Sequence, residues 1–212
     1  MELAKLRRVV VEGPIGVGKT TLARRLADLI GADVLLETPE TNPFLERFYR
    51  DAGRYALATQ LSFLFQRLKQ LADMEADLLQ RPVVSDFLLD KDPLFARLTL
   101  EDDEFQLYRQ VFDSLRAQAA PPDLVVYLQA SPEALLARVN RRGIPMEAAI
   151  TDGYLRALSD AYGNFFHHYD AAPLLMINTE HLNPVDSEDD FKLLISRIGS
   201  MRGQREFFNL AG

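Results

Sequence analysis

Cysteine is absent from the 212 residues, histidine occurs only three times, and no apolar run is long. Without cysteine there can be no disulfide, thiolate metal site or cysteine nucleophile. His167 and His168 are adjacent, so on a helix they point about 100° apart. With His181 distant, these histidines are not expected to share a metal. The aromatics around them, Tyr162, Phe165, Phe166 and Tyr169, read as core or interface packing. A membrane helix needs roughly 20 consecutive apolar residues, and nothing here approaches that length. Near the N-terminus only three valines precede Glu12, too short a core for a signal peptide. A cytoplasmic protein without membrane contact is expected. Positive charge is also scarce: 31 Asp+Glu against 24 Lys+Arg leave a formal charge of −7. That balance argues against a general nucleic-acid binder. Repeats, low-complexity stretches and dividing linkers are missing, so residues 1–212 are read as one domain. The composition, 48% hydrophobic and 26% charged, is that of a globular chain able to bury a core.

What is present is alternation. Short runs rich in Val, Leu and Ile at 6–11, 34–36, 82–85, 124–128 and 174–177 read as buried strands. Segments with helical spacing lie between them. This pattern predicts an α/β fold with a five-stranded parallel sheet and helices on both faces. Ser131-Pro132-Glu133 supplies an N-cap hydroxyl, a proline in the first turn and an early acid. Gly31 should stop a helix over Lys19–Ile30. Thr99, three residues before Asp102, resembles the start of a capping box. A long helix is predicted over 54–80, with Tyr55, Ala58, Leu61, Phe65, Leu68 and Ala72 as its apolar stripe. The tail, 179–212, is an acidic loop, a helix near 190–198, and a final RGQREFFNL without a clear state.

The sharpest signal is Gly13-Pro14-Ile15-Gly16-Val17-Gly18-Lys19-Thr20, followed by Thr21, which matches G-x-x-x-x-G-K-[ST]. A random chain of this length shows the pattern about once in a hundred cases. Here it follows a strand and opens a helix, the context it requires. The glycines let backbone N–H groups turn inward around phosphate, and the helix N-terminus adds its dipole. Lys19 should reach the β- and γ-phosphates, and the Thr20 hydroxyl should help hold Mg²⁺. A guanine-specifying N/T-K-x-D and a transporter L-S-G-G-Q are both absent. A short chain with a P-loop and a basic lid-like segment (about 138–150) points to a small-molecule kinase of three-layer P-loop architecture.

On the acceptor side, Glu37 ends the second strand. Ligands in open parallel sheets bind beyond the carboxyl ends of the strands, so a carboxylate there can take a hydroxyl proton near the phosphates. A solvated glutamate at a strand exit is the plainer alternative. Gln60 and Arg67 share a helix face, with Phe63 available to stack on a nucleobase; a water-facing helix surface is the competing reading. Arg138, Arg141 and Arg142 put one basic face just before Gly143. That face suits a lid over phosphates, or cations that merely complement a helix C-terminus.

In order and spacing, ETPETNPFLERFY, VVSDFLLDKDPLFARLTL, DLVVYLQASPEALLARV and RRGIPME, together with the P-loop, resemble the deoxyribonucleoside kinase family. The likeness is to its bacterial deoxyadenosine/deoxyguanosine kinase-like branch and spans roughly 9–178. The resemblance implies transfer of the γ-phosphoryl of ATP, or another NTP, to the 5′-hydroxyl of a deoxynucleoside with Mg²⁺. It implies that Glu37 is the general base and that Tyr49 and Glu147 hold the 3′-hydroxyl. Gln60 matches the base-reading glutamine, Arg67 a second base contact, and Arg138 and Arg142 the lid arginines. A homodimer joined through helices is implied. The chain departs from the family after the third strand, where Glu-Arg-Ser or Asp-Arg-Ser is replaced by Ser85, Asp86 and Phe87. Asp86 is then the acid for the Mg²⁺ shell, and Lys91 or a lid arginine is the cation left to replace the missing arginine. Ile144 stands where the family has another lid arginine. Lys91 occupies a place where purine- and cytosine-using members often carry an acid, with Asp90 and Asp92 adjacent. A thymidylate kinase-type enzyme and a degenerate nucleotide-binding protein are the competing functions.

Overall fold

In the computed structural model, residues 3–77, 81–116, 121–145, 147 and 150–209 are described. Six strands form one parallel sheet in the order β2-β3-β1-β4-β5-β6: β1 (Arg8–Glu12), β2 (Asp33–Leu35), β3 (Val83–Ser85), β4 (Leu124–Gln129), β5 (Leu174–Asn178) and β6 (Arg205–Phe208). The first five are the runs read from sequence. The sixth corrects the five-strand expectation. Its residues alternate between exposed and half-buried, so REFF lacks the continuous apolar run of an inner strand. Only pairing with β5, where Leu174 lies opposite Arg205 and Ile177 opposite Phe208, reveals it.

Eight helices are seen among the described residues: α1 (Lys19–Ile30), α2 (Leu45–Arg50), α3 (Ala52–Asp77), α4 (Asp92–Thr99), α5 (Asp102–Leu115), α6 (Pro132–Arg142), α7 (Asp152–His168) and α8 (Glu188–Ser200). Gly31 ends α1 in the left-handed conformation, as its position predicted. Ser131 caps α6 by accepting from the Ala134 amide. The capping box at Thr99 is not formed. Glu101 is the N-cap of α5 and makes no side-chain cap, while the Thr99 hydroxyl turns back onto the Phe95 carbonyl at the end of α4.

The core divides into two clusters. One holds β1, β4 and β5 against α1, α7 and α8, with Val10, Val126, Leu22, Tyr162 and Leu194 fully buried. The other gathers α3, α4 and α5 around Leu64, Phe87, Tyr108 and Phe112. The α3 stripe is offset from the one expected. Ala56, Gln60, Leu64, Arg67, Leu71 and Met74 are buried, while Phe65 is 54% exposed. Three polar residues, Thr59, Gln60 and Arg67, are buried on this helix because α3 forms a wall of the cleft, so an apolar-only periodicity selects its neighbouring face. The predicted continuation to residue 80 lies outside the described residues.

Candidate functional site

Five chain segments leave the carboxyl edge of the sheet together, carrying Glu12, Glu37, Asp86, Gln129 and Thr179. The P-loop leaves β1 between β3 and β4. Its glycine positions are packed too tightly for side chains. A Cβ on Gly13 would lie 2.4 Å from the Leu128 carbonyl oxygen, and Gly18, at φ 102°, has Val185 where a Cβ would meet it at 2.7 Å. No side chain caps the N-terminus of α1, so its first amides remain available to an anion. The Lys19 ammonium donates to the Pro14 carbonyl at 3.3 Å. Burial, then the neighbouring Lys91, lowers the Lys19 pKa.

Two cavities meet at this loop. The first, about 230 Å³, brings together Lys19, Thr20, Glu37, Tyr49, Gln60, Phe63, Arg67, Asp86, Arg142 and Glu147. The predicted acceptor set therefore lines one chamber. The second, about 270 Å³, is bounded by Thr21, Arg138, Arg141, Arg142, Thr179 and the 183–186 loop. Gly16 and Arg142 border both. Arg138 donates to the Thr179 hydroxyl and carbonyl at 3.1 and 2.8 Å, which fixes it on the second chamber. Arg142 turns to Glu147, with Nε at 3.1 Å from Oε2. Residues 146, 148 and 149 of the lid segment lie outside the described residues.

Glu37 is not a loose strand-exit glutamate. Its amide donates to Asp86 Oδ1 at 2.8 Å. The flanking backbone is strapped to α3 by Gln70 on the Leu36 carbonyl (2.9 Å) and Gln66 on the Thr38 carbonyl (3.0 Å). Its Oε1 accepts from Arg67 Nε at 2.8 Å and Nη2 at 2.5 Å. Arg67 Nη1 lies 2.9 Å from Asp92 Oδ1. Lys91 Nζ lies 3.5 Å from Glu37 Oε1 and 3.2 Å from Glu12 Oε1. These contacts form a chain of alternating charge: Glu12, Lys91, Glu37, Arg67, Asp92. Burial raises the Glu37 pKa, but Arg67, Lys91 and Lys19 outweigh it and hold the group at about 2. Burial lifts Asp92 to about 6 against the pull of Arg67.

Gln60 and Arg67 are both buried, so the water-facing reading of their helix surface is excluded. The Gln60 amide donates to Thr99 Oγ1 at 3.1 Å, and the Arg67 guanidinium lies 5.2 Å from the centre of the Phe63 ring. The acid after β3 also sits beside the P-loop. Thr20 Oγ1 donates to Asp86 Oδ2 at 2.5 Å, and burial raises the Asp86 pKa despite that bond. A hydroxyl and a carboxylate fit Mg²⁺, which typically takes one or two carboxylates and completes its octahedron with phosphates and water. Among the described residues no group of three or more His, Cys, Asp or Glu could cage a metal.

The family model for deoxynucleoside kinases matches residues 9–201. The chain belongs to the deoxynucleoside kinase family. Among curated relatives, the deoxyguanosine kinase of Bacillus subtilis is 35% identical over 156 residues, 73% of this chain and 75% of that one. The deoxyadenosine/deoxycytidine kinase of the same organism is 29% identical over 202 residues, covering 91% of this chain and 92% of its own. The solved deoxyadenosine kinase from M. mycoides with bound dATP shares the fold, with TM-score 0.80 and 22% identity over 91% of this chain and all of that one. This kinase is accordingly a phosphotransferase that uses a nucleoside triphosphate. None of its described helices is long and apolar enough to cross a membrane.

Sequence reasoning passed over Glu12 and the role of Tyr162. Glu12 is fully buried and accepts from the Gly13 amide (2.9 Å), the Leu88 amide (2.7 Å) and the Tyr162 hydroxyl (2.9 Å). An acid closing a run of three valines directly before a glycine loop was the available signal. Asp90, one of the two acids beside Lys91, instead faces Arg116 at 3.5 Å.

Proposed function

We propose that this kinase transfers the γ-phosphoryl group of ATP, or another NTP, to the 5′-hydroxyl of a deoxynucleoside. The observation that carries the proposal is the single cavity in which the Glu37 carboxylate faces the P-loop residues Lys19 and Thr20, with Gln60, Phe63 and Tyr49 along its walls. The nucleoside occupies this chamber. Gln60 meets the base edge, Phe63 its face, and Tyr49 with Glu147 the 3′-hydroxyl. The donor occupies the second chamber, its phosphates over the P-loop and its base between Arg138 and the 183–186 loop. The 5′-oxygen attacks the γ-phosphorus, the bond to the β-phosphate oxygen breaks, and the hydroxyl proton passes to Glu37 as the nucleoside diphosphate leaves. With its pKa held at about 2, Glu37 is ionised when the acceptor binds and is a weak base. It serves first as a fixed acceptor that orients the hydroxyl, which suits a loose transition state needing little early proton abstraction. Lys19, Arg138 and Arg142 stabilise the charge on the transferring group. Thr20 and Asp86 would hold Mg²⁺, which supplies neutralisation of the phosphate oxygens.

A monophosphate acceptor is disfavoured because the buried arginine of the acceptor chamber, Arg67, is already engaged by Glu37 and Asp92. Deoxyguanosine, deoxyadenosine and deoxycytidine are the acceptors suggested by the names of the matched kinases. A panel of deoxynucleosides and their monophosphates, each with ATP or GTP and Mg²⁺, tests the assignment. Nucleoside 5′-monophosphates are the expected products. Transfer only to monophosphates, or none at all, rejects it. The proposed homodimer would be built on α3 and α5, two packed helices that leave Phe65 (54%) and Leu107 (50%) exposed. Sedimentation should show a dimer for the wild type and a monomer for Phe65→Glu; a monomeric wild type overturns it.

A further inference from the structure

We propose that Lys91 is a positioning residue for phosphoryl transfer: it holds the Glu37 carboxylate so that one oxygen stays open to the acceptor hydroxyl. The inference rests on the functional reading above and adds a residue to its machinery. Lys91 ends the 3₁₀ turn Leu89–Lys91 just before α4 and is 1% exposed. A buried ammonium needs compensating charge. Glu12 supplies it at 3.2 Å and is itself fixed by the Gly13 and Leu88 amides and the Tyr162 hydroxyl. A purely structural ion pair would be complete there. Lys91 instead reaches a second carboxylate, Glu37, and lines the acceptor cavity beside Lys19 and Asp86.

The geometry of Glu37 gives that second contact a purpose. Arg67 Nε, Arg67 Nη2 and Lys91 Nζ all converge on Oε1. Among the described residues nothing donates to Oε2. An arginine fork facing a carboxylate favours the bidentate arrangement, one donor to each oxygen. Lys91 opposes that rotation by drawing Oε1 from the side of the P-loop. Without it, Glu37 turns into a closed pair with Arg67, and Oε2 no longer meets the hydroxyl. From residue 82 through residue 90 the chain carries no other cation, so no neighbour in that segment can take over.

The test is a double-mutant cycle. Lys91→Met in the wild-type background should lower kcat about 100-fold, the scale of a small misplacement of a reacting group, with ATP affinity within about threefold. In a Glu37→Gln background the same substitution should change kcat by less than about threefold, because the residue acts through Glu37. Undiminished kcat in Lys91→Met, or equal losses in both backgrounds, overturns the proposal. If Lys91→Met fails to fold because Glu12 is left unpaired, Glu12→Gln/Lys91→Met takes its place in both backgrounds. Retained binding of a fluorescent ATP analogue shows that this protein is intact, and recovery of wild-type kcat in it overturns the proposal. A wild-type chain without turnover on any nucleoside rejects the functional reading, and this inference with it. An active wild type with an unaffected Lys91→Met rejects only the inference.

Discussion

Glu37, Arg67, Lys91 and Asp92 stand on the β2–β3 side of the P-loop; Arg138, Arg141, Arg142 and Glu147 stand on the β4–β5 side. Both groups are dense in charge, but their surroundings differ. On the first side the side chains are between 1% and 25% exposed and every one contacts two others or an opposite charge fixed by two elements. On the second, Arg142 is 46% exposed and Arg141 lies in the open. Water and salt weaken an exposed pair to about 0–1 kcal/mol. Buried charges resist rearrangement, because removing one partner strands the other in a low-dielectric site. The acceptor half is thus fixed before any ligand arrives, while the donor half carries, beside the anchored Arg138, two exposed arginines, Arg141 and Arg142, that can reorient around phosphates. Reaction geometry belongs to the first half and charge neutralisation to the second.

The strongest way to break this comparison is Glu37→Gln. A positioned acid-base group contributes about 10²–10⁴-fold, so kcat should fall within that range while ATP binding, made by the other half, changes little. A titration of ATP alongside single-turnover kinetics separates the two. Equal loss of binding and rate would show that the halves are not independent. Next in size is Arg67→Met, which leaves Glu37 and Asp92 without their shared cation. Breaking a buried pair costs about 3–5 kcal/mol, and chemical denaturation should show a loss on that scale. A loss below about 1 kcal/mol would mean that the acceptor half is as loose as the donor half.

The legible parts of this kinase are the local ones. The P-loop, Thr20 and the helix caps at Ser131 and Gly31 each depend on a few consecutive residues, and they are found where they were expected. Glu37 and Asp86 were visible because strand exits in parallel sheets share an edge. The ion chain was not legible, since Lys91 and Glu12 are 79 positions apart and Tyr162 lies 150 from Glu12. Their meeting depends on β3 entering beside β1 and on α7 bringing Tyr162 to the end of β1. The misplaced stripe on α3 has a related cause. That helix buries Gln60 and Arg67 for the cleft, so its burial pattern is not a hydrophobicity pattern. β6 was missed because a four-residue edge strand carries too little apolar signal of its own.

A third expectation concerns pH. The Glu37 pKa is about 2 in the folded chain against 4.5 for the ordinary group, so the folded state favours the ionised form. The resulting stabilisation is complete above about pH 4.5 and is lost as pH falls toward 2. The difference in melting temperature between wild type and Glu37→Gln should therefore shrink as pH falls from about 4.5 toward 2. A difference that grows on acidification would mean that Arg67 and Lys91 do not hold the carboxylate ionised.

The smallest effect belongs to the exposed half. The Arg142 and Glu147 side chains meet in two hydrogen bonds, and that two-point pairing invites the view that it stabilises the fold. Exposure of Arg142 argues otherwise. A double-mutant cycle of Arg142→Gln and Glu147→Gln should give a coupling of about 0.2–1 kcal/mol, and near 1 M salt, where the Debye length falls to about 3 Å, it should approach zero. A coupling above about 2 kcal/mol that survives salt would place this pair with Arg67 and Asp92, and the lid segment would then be as rigid as the chamber it borders. A small, screened coupling leaves Arg142 able to exchange Glu147 for a phosphate at little energetic expense, as an arginine at the border of both chambers must.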